Sequence, residues 1–382
     1  MKIHCFKNSY IYEGEIRIVF NRNQFTLLQL FSKYKSLDKV VENAIGNQNV
    51  SKEQYDIIQN NISTFINDVL ERVGKNALDS IELTGEYGKC YPRVLTFELT
   101  NYCNFYCGHC YKNASCKNKT FLNYSIIENI VQKYKGKVQL IHLTGGEPLS
   151  HPKIKSIIDL CLDNGFLVNI TTNGSLGNRL TDEHVKKINN FQISLYGYNK
   201  QTYLQATGVD GFESVRDFIK RLENMKISYN LSFLANKLYL QEHKEYNMFI
   251  NSLNYHKMIN GTADNQGRYG NSVIWQLNEE EKALAKAYME EIKRTSEDFE
   301  ELLRVKVIDD ETNCQAGTLS YSINENGDVF PCQALSDEVF RIGNLDDLEE
   351  NINNNDKFDI YKIVKRNLEK VGGICKYKGG SL

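Results

Sequence analysis

The sequence predicts an α/β fold in which helices cover a parallel β-sheet. From residue 93 onward, short apolar segments alternate with amphipathic segments of helical length, a pattern typical of consecutive βα units. The first two predicted strands are followed directly by cysteine-rich and glycine-rich segments, as at the carboxyl edge of a parallel barrel. We expect strands at 94–99, 138–143, 167–171, 191–195 and 228–234. We expect helices at 124–134, 153–164, 181–188, 213–224 and 240–252.

The composition is that of a globular protein in a reducing compartment. The 382 residues suit two or three domains, and 41% hydrophobic residues suffice for a packed core. No segment approaches the ~18 apolar residues of a membrane span, and no basic-then-apolar leader is visible, so we expect neither a span nor a signal peptide. The net charge of −2 gives no reason to expect nucleic acid as a partner. Ten cysteines in such a chain indicate metal or redox chemistry in the cytoplasm rather than a disulfide framework.

Residues 1–80 are expected to form a separate, winged-helix-like unit. Alternating apolar residues at 11–20 predict a β-hairpin. Asn23 is placed to cap a first helix, and Ser51 is placed to begin a third one. A packing appendage fits this pattern, and so does a DNA-binding module. The second is disfavoured because basic and acidic residues balance throughout, without a Lys/Arg-rich recognition helix.

Three cysteines lie just beyond the strand predicted at 94–99. Cys103, Cys107 and Cys110 have the spacing C-x3-C-x2-C, which lets a short loop turn three thiolates toward one point. Soft thiolate ligands select zinc, copper(I) or iron–sulfur clusters. A structural zinc site needs four protein ligands, and His109 is available as the fourth. An iron–sulfur cluster held by three cysteines instead keeps one iron open for a small molecule.

A second motif follows the strand predicted at 138–143. Gly145 and Gly146 allow a close backbone approach, and Glu147 carries an acceptor-only carboxylate suited to an ammonium group. By itself such a turn has no assigned function. One βα unit after the cysteine triad, however, the Gly-Gly-Glu-Pro segment closely resembles that of the radical S-adenosylmethionine (SAM) enzymes. The resemblance implies an α/β fold of a specific kind, a partial (β/α)6 barrel left open for a large substrate.

The same resemblance implies a set of cofactor contacts. The three cysteines would bind a [4Fe–4S] cluster whose open iron chelates the amino and carboxylate groups of SAM. The segment Gly145, Gly146 and Glu147 would lie beside that ligand. The backbone of His109 would contact the adenine, and Ser194, in the family's strand-four motif, would contact the ribose.

Two further residues each have more than one candidate role. Asn173 ends the family's third strand, where it would either stabilise the turn or touch the ligand. Arg268 lies in a polar loop predicted at 260–272, where it would meet substrate or SAM, or be an ordinary solvated arginine. Many relatives carry an arginine about a dozen residues after the strand-four serine. This chain has none at 203–208, so the contact to the SAM carboxylate is unassigned.

The last region, 306–382, has cysteines of its own. Cys314 and Cys332 flank a predicted hairpin at 323–331 with the spacing C-x12-G-x4-C, which resembles the opening of the SPASM domain of auxiliary-cluster enzymes. A full SPASM domain continues with many more cysteines, whereas only Cys375 follows here. We therefore expect an incomplete SPASM-like region with at most one auxiliary iron–sulfur cluster, on Cys314, Cys332 and Cys375.

Together these resemblances indicate a radical SAM maturase of ribosomally made peptides. The expected organisation is a leader-peptide recognition domain at 1–80, a bridge at 81–92, the barrel at 93–305 and the SPASM-like region at 306–382. The implied activity is formation of thioether (cysteine sulfur to carbon) crosslinks through a 5′-deoxyadenosyl radical. The implied partners are a precursor peptide and an electron donor such as flavodoxin or ferredoxin. Alternatives are a peptide epimerase, a carbon–carbon crosslinking enzyme, and a leader-binding or zinc-stabilised scaffold without catalysis.

Overall fold

Two β-sheets organise the computed structural model, which describes residues 1–14, 16–263, 267–268, 272–292, 316–336 and 338–353. A four-stranded sheet belongs to the amino-terminal part of the chain, and an eight-stranded sheet to the remainder. No helix among the described residues combines the length and apolar character that crossing a lipid bilayer requires.

The amino-terminal sheet is a three-stranded antiparallel meander with a fourth, parallel strand. Its strands are β1 (Lys2–Phe6), β2 (Ser9–Glu13), β3 (Arg17–Phe20) and β4 (Glu82–Gly85), in the order β3-β2-β1-β4. The predicted hairpin is the β2–β3 pair. Strand β4 pairs parallel to β1 within the segment that was expected to be a bridge. The amino-terminal unit therefore extends past residue 80, because a strand distant in sequence completes its sheet.

Three helices cover one face of this sheet: α1 (Arg22–Tyr34), α2 (Leu37–Ile45) and α3 (Lys52–Val73). Ser51 caps α3 in a capping box with Gln54, as predicted. The prediction that Asn23 caps α1 was wrong. Asn21 is the cap, since it exchanges reciprocal hydrogen bonds with Gln24, and Asn23 lies within the first turn.

The other face of this sheet contacts the chain that leads into the larger sheet. His4 is fully buried, with Nδ1 3.0 Å from the Thr84 hydroxyl and Nε2 2.9 Å from the Tyr91 carbonyl. Burial lowers the pKa of His4 to about 4, so its ring is neutral at physiological pH. Glu13 accepts from Arg17 at 2.8 Å and pairs with the buried Arg93 at 2.8 Å. These contacts join the hairpin to the first strand of the barrel.

The larger sheet contains the predicted parallel βα array. Its strands are β5 (Val94–Glu98), β6 (Leu140–Thr144), β7 (Leu167–Thr172), β8 (Asn190–Leu195), β9 (Tyr229–Ala235), β10 (Lys257–Thr262), β11 (Ser320–Ile323) and β12 (Val329–Phe330). The order is β10-β9-β8-β7-β6-β5-β11-β12, with β5 to β10 all parallel. Among the described residues its end strands do not pair with each other, so the barrel is open. The predicted α/β fold class is confirmed.

Strand β10 corrects the expectation of a polar loop at 260–272. Its register pairs Lys257 with Asn230 and Thr262 with Ala235. The segment lacks an apolar run, and Asn260 and Gly261 are poor strand formers, so local propensity gave no signal. Hydrogen bonding to the neighbouring strand decides its conformation.

The helices that accompany this sheet are α4 (Tyr124–Tyr134), α5 (Ile154–Asp163), α6 (Asp182–Lys187), α7 (Lys200–Thr207), α8 (Phe212–Asn224), α9 (Lys237–Gln241), α10 (His243–Asn251), α11 (Glu279–Met289) and α12 (Leu345–Asn353). They pack on the outer face of the strands, where side chains such as Leu95, Phe97, Ile141 and Leu143 are completely buried. This layer is the hydrophobic core.

The inner face of the strands is polar. Because side chains alternate along a strand, the residues between the buried apolar ones share the opposite face. These are Thr96, His142, Thr144, Asn169, Thr171, Gln192, Ser194, Asn230 and Ser232. Closed parallel barrels fill this space with branched apolar side chains. Here several of these polar side chains are partly exposed, so the sheet encloses an accessible polar interior.

Candidate functional site

A cavity of about 260 Å³ lies at the carboxyl ends of strands β5 to β9. It brings together most of the residues singled out in the sequence. The cavity is lined by Cys103, Phe105, Cys107, His109, Cys110, Tyr111, Ala114, Thr144, Gly145, Gly146, Thr171, Thr172, Asn173, Gln192, Ser194, Tyr196, Ser232, Leu234, Arg268 and Gln333. Segments up to 230 residues apart in sequence therefore meet at one point of the fold.

The two glycines after β6 bring their loop directly against the cysteine loop. The Gly146 N–H donates to the Thr100 carbonyl at 2.6 Å, and the Glu147 N–H donates to the Tyr102 carbonyl at 2.8 Å. A Cβ on Gly145 would lie 2.6 Å from the Thr100 oxygen, and one on Gly146 would lie 2.1 Å from the Tyr102 oxygen. Both positions consequently require glycine, since any side chain would separate the two loops.

The three triad thiols line the cavity in a mostly buried environment. Burial, with a smaller contribution from the Glu147 charge, raises the pKa of Cys103 to about 12. Burial raises the pKa of Cys107 well above its ordinary value, and the neighbouring cysteines add to the effect. The protein alone does not ionise Cys103 and Cys107, so a bound metal would be needed to hold them as thiolates.

The shape of this ligand set fits a cluster better than a single ion. Among the described residues, no three His, Cys, Asp or Glu side chains converge closely enough to hold one metal ion. A cubic iron–sulfur cluster spreads its ligands over several iron atoms, and the three thiols line one cavity. The residues present therefore fit a [4Fe–4S] cluster with three thiolate ligands.

The His109 ring packs among aromatic side chains. Its centroid lies 3.9 Å from that of Trp275 and 5.5 Å from that of Tyr196. Burial lowers the pKa of His109 to about 3, and its Nδ1 has no hydrogen-bond partner among the described residues. This packing gives no support to His109 as the fourth ligand of a zinc site. The proposed contact of its backbone with adenine stays a prediction.

Glu147 has partners other than those its motif suggested. Its Oε1 accepts from the Thr172 hydroxyl at 2.7 Å and from the Leu149 N–H at 3.0 Å, and its Oε2 accepts from the Asn173 N–H at 2.8 Å. The carboxylate is completely buried and is absent from the residues that line the cavity. It ties the loop after β6 to the end of β7, and its contact with the ammonium group of SAM stays a prediction.

We expect the substitution Glu147→Gln to change the pH dependence of stability in the iron-free protein. Burial raises the pKa of Glu147 from 4.5 to about 7, despite three hydrogen bonds that favour the charged form. The folded state therefore keeps a proton that the unfolded state has lost between these two pH values. Stability falls as pH rises through this window, by about 3 kcal/mol in total.

This prediction is tested by urea unfolding of wild type and Glu147→Gln at several pH values from 4.5 to 8. The altered hydrogen bonds of the glutamine contribute an offset that does not vary with pH. The wild type should lose stability relative to the variant as pH rises to about 7 and no further. Parallel stability profiles would contradict the prediction.

Asn173 stabilises the turn, the first of the two roles considered for it, and its contact with the ligand stays a prediction. Its Oδ1 accepts from the Ser175 N–H at 2.9 Å, which stabilises the turn. Its Nδ2 lies 3.0 Å from the Asn104 Oδ1 and 3.9 Å from the Cys103 sulfur. The end of β7 is thereby attached to the first residues of the cysteine loop.

Ser194 lies at the carboxyl end of β8 and lines the cavity. Its contact with a ribose stays a prediction. The sequence reasoning missed Tyr196, two residues further on, which also lines the cavity and whose ring lies 5.5 Å from that of His109. The period of two along the strand was the signal that could have found it.

The carboxyl-terminal hairpin is described only in part. Strands β11 and β12 form the predicted antiparallel pair, and β11 also pairs parallel to β5. Cys332 is partly exposed beside Gln333, which lines the cavity. Cys314 and Cys375 lie outside the described residues, so the auxiliary cluster stays a prediction.

A buried charge network connects this hairpin to the cysteine loop. Lys112, two residues after the triad, pairs with Glu98 at the end of β5 and with Glu325 at 3.2 Å. The Ser322 hydroxyl donates to Glu98 at 2.7 Å. The Lys112 and Glu98 side chains are 7% and 0% exposed, so these charges depend on each other for solvation.

Comparison with known proteins agrees with this geometry. A model of the radical SAM superfamily matches residues 97–241, the part of the chain that holds the triad and four of the five cavity-forming strands. The antilisterial bacteriocin subtilosin biosynthesis protein AlbA of Bacillus subtilis (strain 168) is 25% identical over 261 residues. The alignment covers 66% of this chain and 57% of AlbA, so the chain spans little more than half of that relative's length.

Solved structures of SuiB from Streptococcus suis have a similar fold. The complex with S-adenosylmethionine superposes with a TM-score of 0.58 at 17% identity, covering 89% of this chain and 84% of SuiB. The complex with its precursor peptide SuiA superposes with a TM-score of 0.55 at 17% identity, covering 86% and 81%. At this identity the likeness concerns the fold.

Proposed function

Because residues 97–241 form a radical SAM domain, a family whose members use SAM and a [4Fe–4S] cluster, we propose that this chain modifies a ribosomally made precursor peptide. The proposed reaction is the formation of thioether crosslinks between cysteine sulfur and carbon. The observation that carries the proposal is the convergence of the cysteine triad and the glycine loop on a cavity at the open, polar end of the barrel. Support also comes from the similarity to AlbA, a bacteriocin biosynthesis protein, and from the fold shared with SuiB.

Each part of the cavity has a distinct proposed role. Cys103, Cys107 and Cys110 hold the cluster, and Ser194 orients SAM. When bound, cluster and SAM supply the radical chemistry that removes a hydrogen atom from the substrate. The apolar wall formed by Phe105 and Tyr196 excludes water from the triad side of the cavity. A one-electron donor such as flavodoxin or ferredoxin would serve the cluster. The described cysteines are all free thiols, in keeping with a reducing, cytoplasmic setting.

Mass spectrometry of a peptide treated with the enzyme tests this function. A cysteine-containing candidate precursor is co-expressed with the protein, then alkylated and fragmented. Thioether formation removes two hydrogen atoms per crosslink and makes the linked cysteine resistant to alkylation. A carbon–carbon crosslink also removes two hydrogens but leaves the thiol reactive, and epimerisation leaves the mass unchanged. A scaffold without catalysis would leave the peptide unaltered and SAM uncleaved.

The leader of the precursor is proposed to bind the free edge of β3. Strand β3 lies at the end of its sheet, and no described strand pairs with its outer side. In an antiparallel pair of strands, hydrogen-bonded residue pairs alternate with pairs that are not hydrogen-bonded to each other. The Gly14 N–H donates to the Ile16 carbonyl at 3.0 Å, which fixes this alternation along the hairpin. Arg17 and Val19 belong to the pairs that are not hydrogen-bonded, so their backbone N–H and C=O groups point outward. An extended leader could add there as a further strand.

We expect Val19→Pro to weaken leader binding by about threefold to tenfold, the equivalent of one backbone hydrogen bond worth ~0.5–1.5 kcal/mol. Proline removes an outward N–H while leaving the β2–β3 hydrogen bonds in place. Val19→Ala is the matched control, since it shortens the side chain and keeps the N–H. Fluorescence anisotropy with a labelled leader measures the effect. Equal affinities for the proline and alanine variants would refute the edge-strand site.

The chain is further proposed to hold at most one auxiliary cluster, on Cys314, Cys332 and Cys375. Reconstituted protein should then contain roughly four to eight irons, the count for one or two cubic clusters. Replacing Cys314 and Cys332 by alanine should remove the second cluster and stop peptide modification while SAM cleavage continues. An iron content of about twelve atoms per chain would contradict the limit of one auxiliary cluster. Iron content unaffected by the substitutions would mean that no auxiliary cluster is present.

A further inference from the structure

Arg268 lies in a segment far from the triad in sequence, yet it is buried against the triad loop. The side chain lines the cavity and only 8% of the residue is exposed. It is therefore not the solvated loop arginine that the sequence left open. Its neighbour Gly267 has a φ of +59°, and a Cβ there would lie 2.2 Å from the Cys110 carbonyl oxygen. The backbone thus approaches the cysteine loop as closely as glycine permits.

Arg268 contacts the triad loop at four places. Its backbone N–H donates to the Cys110 carbonyl at 3.1 Å, and its Nε donates to the Cys107 carbonyl at 3.0 Å. Its Nη2 donates to the Ala114 carbonyl at 2.7 Å. The guanidinium also lies over the Tyr106 ring, 4.0 Å from the centroid. Two of the accepting carbonyls belong to triad cysteines themselves.

We infer that Arg268 is a positioning residue that fixes the cysteine loop in the conformation that receives the cluster. Other contacts hold the loop near its two ends, at Asn104 and at Lys112. Arg268 holds the carbonyls of Cys107 and Cys110, which lie between those ends. The planar guanidinium reaches two carbonyls with donors in fixed directions and stacks on an aromatic ring, which a lysine cannot reproduce. This inference rests on the proposed role of the thiols as cluster ligands. It concerns the conformation of the loop before a cluster is bound, so the iron-free protein can test it.

Amide hydrogen exchange of the iron-free protein tests the inference without the cofactor. Arg268→Gln should speed exchange of residues 103–114 by about tenfold, as expected for the loss of a stabilising hydrogen-bonded contact. Arg268→Lys should be intermediate. Arg216→Gln is the matched control, because Arg216 also lies over a ring, 5.7 Å from the Phe212 centroid, and pairs with a neighbouring carboxylate. The inference would be overturned if the amides of residues 103–114 exchanged at the wild-type rate in Arg268→Gln.

A second readout follows iron itself. After reconstitution, a chelator should remove iron about tenfold faster from Arg268→Gln than from wild type, with Arg216→Gln unchanged. Should Arg268→Gln fail to fold, Tyr106→Ala replaces it, since Tyr106 is 57% exposed and truncating it removes the stacking contact with Arg268. Tyr106→Ala should raise exchange in the same residues, and no rise would overturn the inference. If wild type binds no iron, the proposed function fails while the exchange measurement still decides the role of Arg268.

Discussion

Replacing Cys103, Cys107 and Cys110 together by alanine should reduce formation of 5′-deoxyadenosine from SAM and dithionite to the level of a protein-free control. The three thiols line one cavity together with the glycine loop that follows β6. Without them no thiolate is available to hold a cluster beside SAM. The product is measured by liquid chromatography after anaerobic reconstitution.

The control for this experiment is a cysteine outside the triad. Cys116 lies a few residues after the cysteine loop but is exposed and does not line the cavity. Cys116→Ala should retain both iron and SAM cleavage. Undiminished cleavage in the triple variant would mean that the triad does not hold the catalytic cluster.

The parts of the fold that local sequence determines were predicted well. Helix α4 covers 124–134 as expected, because a complete apolar stripe and the capping residue Asn123 lie within it. Strand β5 was expected at 94–99 and ends at Glu98. The motif residues were found because chemistry of this kind requires particular residue types at fixed spacing. A short stretch of chain contains all of that information.

Features that depend on distant residues were not predictable in the same way. Strand β10 forms because β9 offers it a hydrogen-bonding edge, and β4 forms because β1 does. Two of the three partners of the Glu147 carboxylate come from the end of β7, more than twenty residues away. Arg268 is separated from the carbonyls it holds by more than 150 residues. A polar residue in a polar segment gives no sign that it will be buried.

The same limit applies to Lys112, which reads in the sequence as an ordinary charged residue beside the triad. In the structure it lies between Glu98 and Glu325 and is almost inaccessible to solvent. Burial lowers the pKa of Lys112, and the charge of Glu325 opposes that effect. Such a pair contributes little net stability when intact, but removing one partner leaves the other charged and unsolvated.

We therefore expect Lys112→Met to destabilise the iron-free protein by ~3–5 kcal/mol, because the completely buried Glu98 loses its cation. Urea unfolding measures the change. The double substitution Glu98→Gln with Lys112→Met should recover a large part of the loss, since it removes the isolated charge as well. Lys187→Met is the matched control, because Lys187 pairs with Glu183 on an exposed helix surface, and it should leave the unfolding curve unchanged. If the double variant were as unstable as Lys112→Met alone, packing of the lysine stem rather than the buried charge would be the cause.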